Sequence, residues 1–132
     1  MKIKGFNMIE LITVLSIVAI LTALAVPSYV SYITHERQVA AKTELVRLAS
    51  LMEAFYTENN TYQGATLAKF RMPEYIAQNN YQLIINQASQ SNYEVLAKPI
   101  NNQAKKDRCG VFTINSQGAR RSEGQMQECW YI

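Results

Sequence analysis

The chain has 132 residues, one histidine, two cysteines and a formal net charge of +3, enough for one small core once an apolar segment is set aside. Loss of Lys2 and Lys4 with a leader would leave about +1 on the side chains, which gives no global case for nucleic acid. With no Ser/His/Asp arrangement, glycine-rich phosphate loop or carboxylate cluster at metal spacing, the sequence offers no catalytic residue, cofactor or metal site, and no enzyme is expected.

Met1-Lys2-Ile3-Lys4-Gly5 precedes a long apolar run. From Leu11 to Val30 there is no charged side chain, and only Thr13, Ser16, Thr22 and Ser28 are polar. A run of about 20 such residues can cross a bilayer as one helix. Glu10 stands at its mouth, where an unpaired carboxylate costs roughly 2 to 3 kcal/mol and so calls for a partner. A secretory signal carries its small-residue cleavage site after the apolar stretch. Here Val26-Pro27-Ser28-Tyr29 leads instead into a helical pattern, which places the expected cut ahead of the run, at Gly5. Lys2 and Lys4 mark the cytoplasmic side and send the C-terminal bulk to the periplasm. A plain single-pass anchor would need neither Gly5-Phe6 nor Glu10.

Beyond Pro27, Ala41, Leu45, Leu48, Met52 and Phe55 recur at three- and four-residue steps and predict one apolar helix stripe. Glu36, Arg37, Lys42, Glu44, Arg47 and Glu53 fall mostly off it. The prediction is one helix over 6–58, bent or loosened at Pro27, which has no amide donor, and stopped at Asn59-Asn60. His35-Glu36-Arg37 marks its exit from the membrane, and Asn59-Asn60-Thr61 matches a glycosylation sequon, a pattern of low specificity. An irregular stretch, 59–80, follows. Tyr81–Ile85, Tyr93–Ala97 and Val111–Ile114 then read as strands, with a short fourth at Ala119–Arg121 after the turn Asn115-Ser116-Gln117-Gly118. Short strands on short connections predict an antiparallel sheet that covers the helix stripe, an α+β fold.

A short basic leader ending in Gly5, then Phe6, a Glu at the fifth mature position, and an apolar run ending in Pro27-Ser28-Tyr29 closely resemble type IV pilins. Asn7 and Met8 depart from the residues more common there. The C-terminal half, with Asp107-Arg108-Cys109-Gly110, Gly118 and Cys129-Trp130, is similar to minor pilins of the PilE type. The resemblance implies a cleaved leader 1–5, cut between Gly5 and Phe6 by the prepilin peptidase, and N-methylation of Phe6. It implies a filament-core and transmembrane half over 6–30 and a globular head over 31–132. Within the head lie an amphipathic helix (31–58), a connecting loop (59–80), the sheet (81–121) and a cysteine-bounded loop (109–129). It further implies that the Phe6 amine meets Glu10 of its own or a neighbouring chain during assembly. Partners would be other pilins, the peptidase and methyltransferase, and the inner-membrane assembly machinery. The protein would sit in the inner membrane with a periplasmic C-terminus and later in a surface pilus, supporting its biogenesis, motility, adhesion or DNA uptake.

Cys109 and Cys129 fall in the exported part, where disulfides persist, and are read as bonded; with His35 far away in sequence and no CxxC, a zinc site is disfavoured. Lys105, Lys106 and Arg108 precede this loop and Arg120 and Arg121 lie inside it. If the five converge on one face, with Trp130 or Tyr131 nearby, they form a phosphate-binding patch, and the chain would be a DNA receptor. A solvated rim offset by Asp107, Glu123 and Glu128 is the plainer account. A pseudopilin of type II secretion shares the N-terminal pattern, but the acidic residues here supply no calcium loop. Whether the subunit is major or minor stays open at this level.

Overall fold

The computed structural model describes residues 5–124 and 126–130, with Met126 and Gln127 described by their backbone alone. The leader residues Met1 to Lys4, and Tyr131, lie outside the described residues. The chain divides into two compact units, Met1–Ile33 and Thr34–Ile132.

Helix α1 runs over Met8–Asn59, starting two residues later than the periodicity suggested. Its first part is long and apolar enough to span a membrane. There the four polar side chains satisfy themselves: Thr13 donates to the Ile9 carbonyl (2.8 Å), Ser16 to Ile12 (2.8 Å), Thr22 to Val18 (2.7 Å) and Ser28 to Leu24 (3.2 Å). Each hydroxyl folds back one turn, so none is left unpaired against hydrocarbon.

In the second unit, Ala41, Leu45, Leu48 and Met52 of α1 are fully buried and Phe55 packs at the margin. The helix ends where Asn60 turns left-handed (φ 56°). Its N–H donates to Tyr56 (2.7 Å), while the Asn59 amide caps Phe55 (2.9 Å).

Against the stripe lies a five-stranded antiparallel sheet in sequence order, made of β1 (Tyr75–Ile76), β2 (Tyr81–Ala88), β3 (Tyr93–Pro99), β4 (Phe112–Asn115) and β5 (Arg120–Ser122). The register Leu83↔Ala97↔Phe112 and Ile85↔Val95↔Ile114 puts these side chains on the helix-facing layer. The two-residue period of a strand puts Gln82, Ile84, Glu94, Leu96 and Thr113 on the opposite face. The 115–118 turn closes as its composition suggested. The Asn115 side chain accepts the amides of Gln117 and Ala119, both at 3.0 Å, and Gly118 takes a φ of 77°.

Three short elements add to the expected set: β1, α2 (Asn101–Lys106) and α3 (Met126–Trp130). Strand β1 is followed by three left-handed residues, Ala77, Gln78 and Asn79. The Asn80 amide closes that turn on the Ala77 and Gln78 carbonyls, each at 3.0 Å.

Candidate functional site

At the N-terminal end, Gly5, Phe6, Asn7 and Glu10 lie together around the start of α1. Phe6 is 79% exposed. Among the described residues the single ion pair is Arg47 with Glu44 (3.6 Å), so Glu10 has no cationic partner within them.

The head's second cluster is built around Asp107, just past α2. Its Oδ1 accepts the Gln38 amide from α1 (2.7 Å) and the Cys109 backbone N–H (2.8 Å). Its Oδ2 accepts the Gln103 amide (3.1 Å) and the Tyr81 hydroxyl. Gln103 also donates to the Thr34 carbonyl (3.0 Å) and the Tyr81 oxygen (3.2 Å). One carboxylate thus ties α1, β2, α2 and the start of the cysteine loop. Burial, then the hydrogen bond to Asp107, push the Tyr81 phenol well above its ordinary value.

The disulfide Cys109–Cys129 closes 20 residues. Gly110 (φ 66°) turns left-handed beside Glu123, and Gly124 lies so close to the Arg108 carbonyl that a Cβ there would collide with it. The two arms of the loop therefore touch. Trp130, next to Cys129, donates its indole N–H to the Arg121 carbonyl (2.8 Å). Its ring lies edge-to-face on Phe112 (5.3 Å between centroids) and under the Arg120 guanidinium (5.7 Å). Trp130 is therefore packed and also holds β5.

Lys105 and Lys106 lie on the last turn of α2, exposed, and Arg108 follows them. On β5, Arg121 pairs with Thr113 and Arg120 with Ile114. Paired residues share a face and successive ones alternate. Arg120 therefore points to the helix side with Ile114, beside Val39, Lys42, Thr43, Val46 and Trp130, while Arg121 points to the outer face. The five cations do not share one face of the sheet.

Lys42 has a role the sequence did not signal. It is only 9% exposed and donates to the Cys129 carbonyl (2.8 Å). Burial lowers its pKa, partly offset by the Asp107 charge. Its position on the shoulder of the stripe, beside Ala41, was the available clue. The Asp107 hub had a weaker one: an Asp two residues before a Cys, able to take that residue's amide.

A family model described as type IV minor pilin ComP, DNA uptake sequence receptor, matches residues 27–113, about two thirds of the chain. The type IV major pilin protein PilA of Myxococcus xanthus (strain DK1622) is 36% identical over 59 residues, 45% of this chain. That match spans 27% of the relative, about a quarter of its length. Among solved structures, the non-core minor pilin PilV of Neisseria meningitidis superposes with a TM-score of 0.54 at 23% identity, over 73% of this chain and 95% of that one. A type IV pilin from Shewanella oneidensis gives 0.48 at 21% identity, over 76% and 99%. The chain has the fold of the type IV pilins and belongs to the family of the type IV minor pilin ComP.

Proposed function

We propose that this pilin is a minor subunit whose head also binds duplex DNA. Processing between Gly5 and Phe6 and methylation of Phe6 yield the mature chain. It waits in the inner membrane with its head in the periplasm. The Phe6 amine and Glu10 then guide docking into the growing filament, where each charge relieves the other's desolvation. A kink at Pro27 adapts the helix to its neighbours.

The observation that carries the DNA reading is β5 itself: a strand at the free edge of the sheet, bearing Arg121 outward and clamped by Trp130. The backbone of Arg108 lies against Gly124 just beyond β5, and Lys105 and Lys106 precede it on the last turn of α2. The family's description as a DNA uptake sequence receptor agrees with it. Contact runs along an edge rather than across a sheet face, and phosphate attraction supplies the affinity.

The test is a salt-dependent binding titration with duplex DNA. Arg121→Ala should weaken binding and reduce the slope of log K against log salt by about one. Absence of any duplex shift by the wild-type protein at low salt refutes the reading and leaves a purely structural pilin.

A further inference from the structure

We propose that the open groove between α1 and β5, lined by Val39, Lys42, Thr43, Val46, Arg120 and Trp130, is a binding site for a phosphate monoester. The groove encloses about 450 Å³, and among the described residues its lining carries two cations and no acidic side chain. Both cations rest on rings rather than on carboxylates. Lys42 Nζ lies 5.6 Å from the Phe112 centroid, and Arg120 Cζ lies 5.7 Å from that of Trp130. Phe112 and Trp130 meet edge-to-face between them. Among the described residues neither cation has a carboxylate within ion-pair distance.

The nearest candidate for a counter-charge is already committed. Asp107 accepts hydrogen bonds from Gln38, Gln103, Tyr81 and Cys109. Among the described residues, nine-tenths-buried Lys42 has one hydrogen-bond acceptor, the Cys129 carbonyl, for its three N–H donors. Burial lowers the pKa of this ammonium and the Asp107 charge offsets that only in part, so the charge is incompletely compensated. An incoming anion supplies what is missing.

Charge and shape select the anion. A phosphate monoester carries about −1.5 to −2 at neutral pH, matching the two cations better than a carboxylate does. The guanidinium presents a planar fork suited to phosphate oxygens while one face stays on the indole. Val39 and Val46 flank the site and take the apolar part of the esterified alcohol. The site stands apart from the DNA reading, which rests on Arg121 and the outer edge. Its sources are a small phosphate ester or the terminal phosphate of a nucleic-acid strand.

Trp130 is the chain's sole tryptophan, so intrinsic emission reports on this groove. The full chain in a non-ionic detergent is titrated with inorganic phosphate, ethyl phosphate and acetate at constant ionic strength. The expected result is a saturable emission change with both phosphates, tighter for ethyl phosphate, and at least tenfold weaker response to acetate. Arg120→Gln and Lys42→Met should each weaken the phosphate response at least tenfold, with Arg120→Gln keeping the wild-type melting curve. The exposed Arg120 keeps the test decisive even if Lys42→Met fails to fold. A 5′-phosphorylated trinucleotide that binds tenfold tighter than ethyl phosphate supports the site and assigns it to strand ends; equal binding supports it and assigns small esters. No saturable response, an equal response to acetate, or a response unchanged in Arg120→Gln overturns the proposal.

Discussion

Asp107→Ala is the most searching test of how this head is held together. The substitution removes the acceptor for four donors from separate elements. Two of these donors belong to side chains with no access to water: Tyr81 is 0% exposed and Gln103 1%. A buried donor left without an acceptor costs about 1 to 3 kcal/mol. Gln103 keeps the Thr34 carbonyl, so the main losses are the Tyr81 hydroxyl and the Cys109 amide. We expect about 3 kcal/mol in total, which for a head of roughly 100 residues lowers the thermal midpoint by about 12 to 24 °C. Asp107→Asn retains one acceptor and should cost about half as much. Tyr81→Phe removes the deepest donor, so its effect should not add to that of Asp107→Ala, with a coupling of at least about 1 kcal/mol. Thermal and urea melts of a head starting near Ser31 read the wild type, the three single variants and the Asp107→Ala/Tyr81→Phe double variant. A midpoint shift below about 4 °C for Asp107→Ala, or strict additivity with Tyr81→Phe, would refute the hub.

Opening the bridge with Cys109→Ser should cost about 3 kcal/mol, the loop entropy of 20 residues; thiol titration of the unfolded oxidised protein should find no free thiol. Burial pushes the Tyr62 and Tyr93 phenols up to about 12, above their unfolded value near 10. Their contribution is complete below pH 10 and is lost as pH rises through 12, so the urea midpoint should fall across that window and a flat profile would count against it. Glu10→Val should leave membrane insertion and head folding unchanged but lower incorporation into filaments, and wild-type levels of the tagged variant in sheared pili would show that the carboxylate does not direct assembly. Intact mass of the same material should give a chain beginning at methylated Phe6.

The helix and the larger strands were legible because they bury whole rows of side chains. Ala41, Leu45, Leu48 and Met52 could lie on one face only of a helix, and β2, β3 and β4 alternate against it. Elements held by single contacts were not. Strand β1 is two residues long, too short for a period, and α2 is a polar hexapeptide with one buried side chain, Gln103. Helix α3 lies just where the disulfide returns the chain to the head. The parting of Arg120 from Arg121 is different. Once 119–121 is read as a strand, adjacent residues must face opposite ways, so a single face was excluded by the same assignment that proposed the strand. Lys42 was hidden by its type, since lysine is rarely buried without a charged partner.

The bridge between Cys109 and Cys129 also decides how the head answers a mechanical pull. A load applied at β5 would peel β4 and β5 apart one hydrogen bond at a time if the ladder were the sole connection. With the bridge closed, the stretch between two cysteines 20 apart in sequence is removed from the stretchable contour, about 70 Å of chain when fully extended. Tension passes from Cys129 to Cys109 through sulfur, and from there to α1 through the carboxylate of Asp107 and the amide of Gln38. The sheet edge could then fray under load while its connection to α1 stayed short and stiff.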